Sequence, residues 1–485
     1  MEDRELTPDP QLMESMRAVG YTLETAVADV IDNSVTAGAD QVDVLFTSLP
    51  SARIAILDNG SGMNLETLIQ AMRLAGRPPT STRQPHDLGR FGLGLKTASL
   101  SQSRSVTVAT RYNGDLVAVR WDLDHLATTH KWALQILSQP EIQQLPWIGN
   151  LIEYAAGTLV LWDNLDRLHA APELVESHLD DQMHSVRQHL SLVFHRFTGS
   201  QMPPLNNPLI LRMNGASVPQ IDPFLTRHRA TQIGQTERIR VDNAWVEIQP
   251  YTLPYLNKLN AADRAAAQIA GTLRDSQGFY IYRADRLVLW GTWFRIMPRD
   301  ELGKLARVCV DIPNSLDQLW SLDIKKSSAA PPPAVRRRLA QIASQIVGPS
   351  RRTHIYRGRP TSTDGIQRLW TLIEERGTFR YELNRSHPMI ASVFDDLDKA
   401  HQTAFSQLLR AIEGSFPVED AYNRMGTDNT HAPSAVLREE MTEIIRTLHP
   451  LVGGDAQTLA EKLALIEPFN GVKDLEAFLK EVIGG

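Results

Sequence analysis

The sequence predicts an α+β protein of 485 residues in three parts: a helix-on-sheet domain over 1–205, a second α/β domain over 206–350, and a helical C-terminal region over 351–485. Three observations carry that reading. Short Val- and Ile-rich runs alternate with amphipathic helical stretches in the first part. A Pro/Asn-rich break, GSQMPPLNN at 199–207, precedes a series of strand-like segments that Pro331 to Pro333 close. Beyond 362 the periodicity is helical, at 364–376, 396–413, 434–448, 456–465 and 472–483.

Composition narrows the function. Hydrophobic residues make up 42% and charged residues 22%, ordinary globular usage. With Cys309 as the one cysteine, a disulfide framework and a cysteine-based zinc site are excluded, and the 14 histidines form no metal-ligand spacing. The acidic start, MEDRELTPDPQ, and the lack of any run of eighteen apolar residues predict a soluble cytoplasmic protein without a membrane partner. A net charge of −6 means that any nucleic-acid contact must come from local basic patches.

In chain order, Thr7 to Gly20 reads as a short capped helix with Leu12, Met16 and Val19 on one side and Gly20 as its stop. LETAVADVIDNSVTAGA (23–39) follows as a second helix, with Leu23, Val27, Val30 and Ile31 as a core-facing stripe. Asp29 and Asn33, four apart, share a different face. A carboxylate and a carboxamide one turn apart can serve a magnesium-bound phosphate and the water beside it. Taken alone, the stretch reads more simply as an amphipathic helix with two solvated polar residues.

QVDVLF (41–46) and ARIAILD (52–58) predict a pair of strands, the second ending in Asp58-Asn59-Gly60-Ser61-Gly62-Met63. Gly60 and Gly62 let the backbone turn sharply near a ligand, with the Asp58 carboxylate at the strand end to accept hydrogen bonds. A helix over 65–75 leads to GRPPTSTRQPHDL (76–88), a polar loop long enough for a lid. Then comes GRFGLGLKTAS, in which Gly89, Gly92 and Gly94 precede a helical continuation. Unpaired N–H groups at such a helix start bind phosphate, and Lys96 adds positive charge. The spacing fits neither a Walker A loop nor a dinucleotide fingerprint.

The remaining first-domain signals are GTLVLW, opening with Gly157 and Thr158, and a long helical pattern around 173–197. Past the break come LILRMNGASV, RIRVDNAWVEIQPYTL, GFYIYRADRLVLWG with a turn at Ala284-Asp285, and ARVCVDIP at 306–313. Arg336, Arg337, Arg338, Arg351, Arg352, Arg357 and Arg359 form the marked basic concentration, either a nucleic-acid patch or solvated helix faces.

The order E-x4-D-x2-DNS, then DNGSGM, then GRFGLGLKTAS resembles the GHKL ATPases, the superfamily of gyrase B, the heat-shock ninety chaperones, histidine kinases and MutL. The resemblance implies a Bergerat-type α/β sandwich that binds ATP and Mg²⁺. It places Asn33 at the family's magnesium-binding Asn and Asp58 at its adenine-reading Asp. Gly60, Gly62, Gly89, Gly92 and Gly94, with Leu93, Leu95 and Lys96, fall on the nucleotide loops, Met63 against the base, and Gly157-Thr158 near the adenine. One departure stands out: Asp29 occupies the position of the general-base Glu, and its shorter side chain implies slow turnover.

The region after 206 is similar to the transducer domain of MutL-like, MORC-like and gyrase proteins, which implies that Lys325 or Lys326 reaches the γ-phosphate. His86 is the first histidine, so a phosphoacceptor preceding the ATPase module is missing, and there is no room for a topoisomerase cleavage domain. The nearest likeness is to prokaryotic MORC/MutL-like ATPases linked to restriction-modification and phage defence. It implies a nucleotide-dependent homodimer acting on DNA or with a nuclease or methyltransferase. A binding module that closes without useful hydrolysis, and a chaperone, stay open as alternatives.

Overall fold

The computed structural model describes residues 9, 11–73, 88, 94–168, 175–200, 202, 205–299, 303–317, 319–320, 331–333, 335–343, 345, 367–375, 378–415, 442, 445–446, 455–466, 469, 472 and 474–483. The chain divides into two compact units, Met1–His354 and Ile355–Gly485. Gly89, Gly92, Leu93, Lys325, Lys326, the stretch 76–87, Arg351, Arg352, Arg357, Arg359 and most of 434–448 lie outside the described residues.

The first unit begins with helix α1 (Gln11–Met16), a 3-10 turn (Arg17–Val19) that ends at Gly20 with φ 73, and α2 (Leu23–Thr36). The buried face of α1 differs from the expected one. Met13 is fully buried and Leu12 is exposed. The reason is Arg17, which is buried against Asp166 and the Leu100 carbonyl and fixes the rotation of the segment.

An eight-stranded sheet runs in the order β5-β4-β3-β6-β2-β1-β7-β8. Its strands are β1 (Gln41–Thr47), β2 (Arg53–Asp58), β3 (Ser105–Tyr112), β4 (Asp115–Asp122), β5 (Gln135–Ile136), β6 (Gly157–Asp163), β7 (Ile210–Met213) and β8 (Ala216–Ser217). Side chains alternate across the pleat, so Ile54, Ile56, Val106, Val108, Val160 and Trp162 enter one core while Ala55, Leu57, Ala109, Leu159 and Leu161 enter another. The first core is covered by α2, by α4 (Gly94–Gln102) and by the long helix Val175–Val193. That helix buries Leu179, Met183, Val186, Leu190 and Val193, a 3.6-residue stripe. The second core is closed by two short helices, Gln139–Gln143 and Ile148–Glu153.

Between these, α3 (Leu65–Met72) is capped by Asn64, whose side chain accepts from the Thr67 N–H. The hairpin β7–β8 corrects the expected boundary at 205/206. β7 pairs in parallel with β1 over Gln41–Val44, so LILRMNGASV completes the first sheet instead of opening a second domain.

A second sheet in the same unit has the order β10-β11-β14-β12-β13, with β9 on β11. Its strands are β9 (Gln232–Ile233), β10 (Glu237–Val241), β11 (Ala244–Thr252), β12 (Gly278–Arg283), β13 (Arg286–Thr292) and β14 (Ala306–Ile312). β12 and β13 join through Ala284 and Asp285, both at positive φ, as a two-residue hairpin requires. The helical stretch 335–343 adds Val335, Leu339, Ile342 and Ala343 to the core of this sheet.

The second unit corrects the all-helical expectation. Residues expected as a helix at 364–376 include β15 (Trp370–Glu375), which pairs antiparallel with β16 (Thr378–Leu383). Two six-residue runs, WTLIEE and TFRYEL, with two residues between them, pair their backbones as a hairpin, and Trp370, Thr371, Ile373, Thr378, Phe379 and Tyr381 are residues that favour strands. Helices Pro388–Asp395, Lys399–Gly414, Ala456–Leu463 and Leu475–Ile483 follow, the last two sharing a core of Leu459, Leu463, Phe478 and Leu479. Among the described residues no helix is long and apolar enough to cross a membrane.

Candidate nucleotide site

The site is built on α2. Thr22 and Thr25 cap its start reciprocally, and the helix packs against both α4 and the long helix Val175–Val193. It is therefore buried on more of its circumference than an amphipathic stripe requires: Ala26 to Asp32, Ser34 and Val35 are all buried. Asp29, expected on a solvated edge, is only 5% exposed. Its Oδ2 accepts the Tyr21 hydroxyl at 2.9 Å and lies 3.7 Å from where a Cβ on Gly94 would stand. Asn33 is exposed, and its Nδ2 donates to the Asp29 carbonyl at 2.9 Å, so Oδ1 is the ligand-capable atom of that amide.

Asp58, at the end of β2, is buried. It accepts the Ser34 hydroxyl at 2.7 Å and the Gly60 N–H at 2.9 Å. Burial pushes its carboxyl above the usual range, and the Ser34 and Gly60 donors and the neighbouring Thr158 backbone pull in the opposite direction. A carboxylate offers about four acceptor directions, so these two hydrogen bonds leave capacity for a ligand amino group.

The β2–β6 register sets Asp58 opposite Thr158. Glycine is required where these strands crowd: a Cβ on Gly157 would stand 2.2 Å from the Asp58 carbonyl oxygen. Gly62, at φ 64, would place one 2.0 Å from the Arg111 carbonyl oxygen. Met63 is half-buried, and its N–H donates to Thr110 Oγ1 at 2.9 Å. Thr110 in turn donates to the Gly157 carbonyl at 3.0 Å.

Gly94 and Leu95 open α4, with Leu95 packed on the first core. Lys96 departs from the expected phosphate role. Its buried Nζ donates to the carbonyls of Ala71 at 2.9 Å and Arg73 at 2.8 Å, capping the end of α3. Burial lowers its pKa to about 8. The structure thus brings together Asp29, Asn33, Gly94 and Leu95 on one side, and Asp58, Gly60, Gly62, Met63 and Thr158 on the other, with Ser34 joining the two.

Sequence reasoning missed Tyr21, Ser34, Thr110 and two arginines. Ser34 alone carried a signal, as the neighbour of Asn33. Arg286 of β13 donates from Nε to Asp32 Oδ1 at 2.8 Å, an ion pair with both side chains buried. Arg283 of β12 makes a two-pronged contact with Asp317, at 2.7 Å on each oxygen, and donates from Nη1 to the Leu88 carbonyl at 2.9 Å. The second sheet thereby holds both the helix carrying Asp29 and the residue preceding the glycine run. Arg196, in the short helix His195–Gly199 that follows the long helix, also binds this sheet, bonding Asp311 and Asp285 and stacking 3.7 Å over the Tyr282 ring.

No curated protein matches the chain. Residues 21–158 match the family model described as histidine kinase-, DNA gyrase B-, and HSP90-like ATPase, a span that contains Asp29, Asn33, Asp58, the glycine segments and Thr158. The buried strand-end carboxylate, the polar residues of α2 and the glycine-opened helix agree with that match, and within residues 21–158 the chain carries a GHKL-type ATPase domain.

Proposed function

We propose that the protein is an ATP-binding, slowly hydrolysing dimeric switch of the MORC/MutL-like kind, acting on DNA or with a nuclease or methyltransferase partner. The observation that carries this reading is the pair of buried ties from the second sheet to the site, Arg286 to Asp32 and Arg283 to the Leu88 carbonyl. A sheet held to the chemical helix and to the end of the loop segment is suited to convert a change at the phosphates into a movement. Lys325 or Lys326 would contact the γ-phosphate and favour the ATP state over the ADP state. Arg336 and Arg337 are exposed and available to nucleic acid, whereas Arg338 is paired with Glu237 at 2.7 Å.

The residues present fit nucleotide and Mg²⁺. The remaining acceptor direction of Asp58 suits the adenine amino group, with Met63 against the ring. Asn33 Oδ1 is a hard neutral oxygen of the type Mg²⁺ takes alongside phosphates and water. Bound there, Mg²⁺ would neutralise charge on the phosphate oxygens. The N–H groups at the start of α4 bind phosphate, and Asp29 accepts the proton of the attacking water.

Phosphate release by the wild-type chain and by Asp29→Ala tests this. The expected result is slow release by wild type and none by the variant, with ATP binding retained by both. Normal release by Asp29→Ala moves the general base elsewhere. ATP binding by wild type without any release supports the rival reading, a nucleotide-gated binding module.

A further inference from the structure

Tyr21 directly precedes the capping residue of α2, and its position is fixed at three points. The residue is 8% exposed and belongs to the first core. Its backbone carbonyl accepts Gln102 Nε2 of α4 at 3.2 Å. Its hydroxyl donates to Asp29 Oδ2 at 2.9 Å. That oxygen is also the Asp29 atom nearest to a Cβ placed on Gly94, at 3.7 Å. One phenol therefore grips the carboxylate that borders the start of α4, from an anchor shared by both helices.

We propose that Tyr21 is a positioning residue for ATP hydrolysis, holding Asp29 in the orientation from which it takes the proton of the attacking water. The proposal rests on the reading of Asp29 as general base. In the step it serves, the water oxygen forms a bond to the γ-phosphorus, one water proton passes to Asp29, and the bond from that phosphorus to the β–γ bridging oxygen breaks with its electrons leaving on ADP. A hydroxyl donated to one carboxylate oxygen restricts the rotation of that carboxylate. Asp reaches one methylene less far than Glu, so it tolerates less angular freedom before the proton falls out of range. A misplacement on the order of 1 Å costs about 100-fold in such steps.

The test is a double-mutant cycle on the full chain with Tyr21→Phe and Asp29→Asn, reading phosphate release and ATP binding by calorimetry. Phe keeps the ring and removes only the hydroxyl. Expected for Tyr21→Phe is a fall in kcat of about 10-fold or more, with KM and ATP affinity within about twofold. In the Asp29→Asn background the same change should alter the residual rate by less than about twofold, because there is no base left to position. A purely packing role would lower both backgrounds alike, and that result overturns the proposal. So does a Tyr21→Phe chain that has lost ATP binding, which makes the tyrosine structural. If Asp29→Asn is inactive and Tyr21→Phe matches wild type, the proposal fails while the general-base reading stands. If Asp29→Asn hydrolyses like wild type, the general-base reading itself falls, and the proposal with it.

Discussion

Replacing Asp58 by Asn separates recognition from folding at one atom. In the wild type, Oδ1 accepts the Gly60 N–H and Oδ2 accepts the Ser34 hydroxyl. With Asn, Oδ1 can keep the Gly60 contact and the Ser34 hydroxyl can reverse its role, because a hydroxyl both donates and accepts. The Nδ2 group then meets the incoming adenine amino group donor against donor. Loss of one hydrogen bond to a charged acceptor is worth about 1.5–3 kcal/mol, so ATP affinity should fall about 10- to 150-fold. Stability should move little, because burial already raises the Asp58 pKa and Asn avoids the cost of a buried charge. Calorimetric titration with ATP and a thermal melt give both quantities. Unchanged ATP affinity in a folded Asp58→Asn chain would refute the assignment of Asp58 as the adenine reader.

Two further perturbations probe the frame around the site. The Lys96 pKa falls from 10.5 to about 8 by burial, so the unfolded chain holds this proton more tightly than the folded one. Stability from this group therefore rises as pH climbs from about 8 to 10.5, by about 3 kcal/mol, and is lost as pH falls through 8. Denaturant melts of Lys96→Met across that window should lack the rise, and an identical pH slope would count against the buried ammonium. Arg286→Met leaves Asp32 buried without this partner and should cost about 3–5 kcal/mol, most of it recovered in Arg286→Met with Asp32→Leu. A double variant as unstable as the single would show that the ion pair itself, and not the buried carboxylate left by the single variant, supports the fold.

What could be read from the sequence was local. The strands β1 and β2 followed from Val- and Ile-rich runs of strand length, and Asp58 from its place before two glycines. The grouping of Asp29 with Asn33 followed from helical spacing, but the burial of Asp29 did not, since it arises from α4 and the helix Val175–Val193 closing over α2. The contacts that tie the second sheet to α2 and to Leu88 join residues distant in sequence: Asp32 and Arg286 are 254 apart, Leu88 and Arg283 195 apart. No periodicity encodes such pairs. Lys96 misled because a lysine after a glycine run has two destinations, phosphate or a helix end, and only the position of α3 selects the second. The strand at 370–375 reads as helix because its pairing with 378–383 joins segments that periodicity alone treats separately.

The proposed switch requires that ATP, and not ADP, close the chain into a dimer. Sedimentation velocity of the full chain, alone, with ADP, and with a non-hydrolysable ATP analogue and Mg²⁺, tests it directly when each condition is repeated with duplex DNA. The expected result is a faster-sedimenting dimer in the analogue alone, lost in Asp58→Asn, with DNA co-sedimenting with that dimer. A sedimentation coefficient identical in all three nucleotide conditions would contradict it.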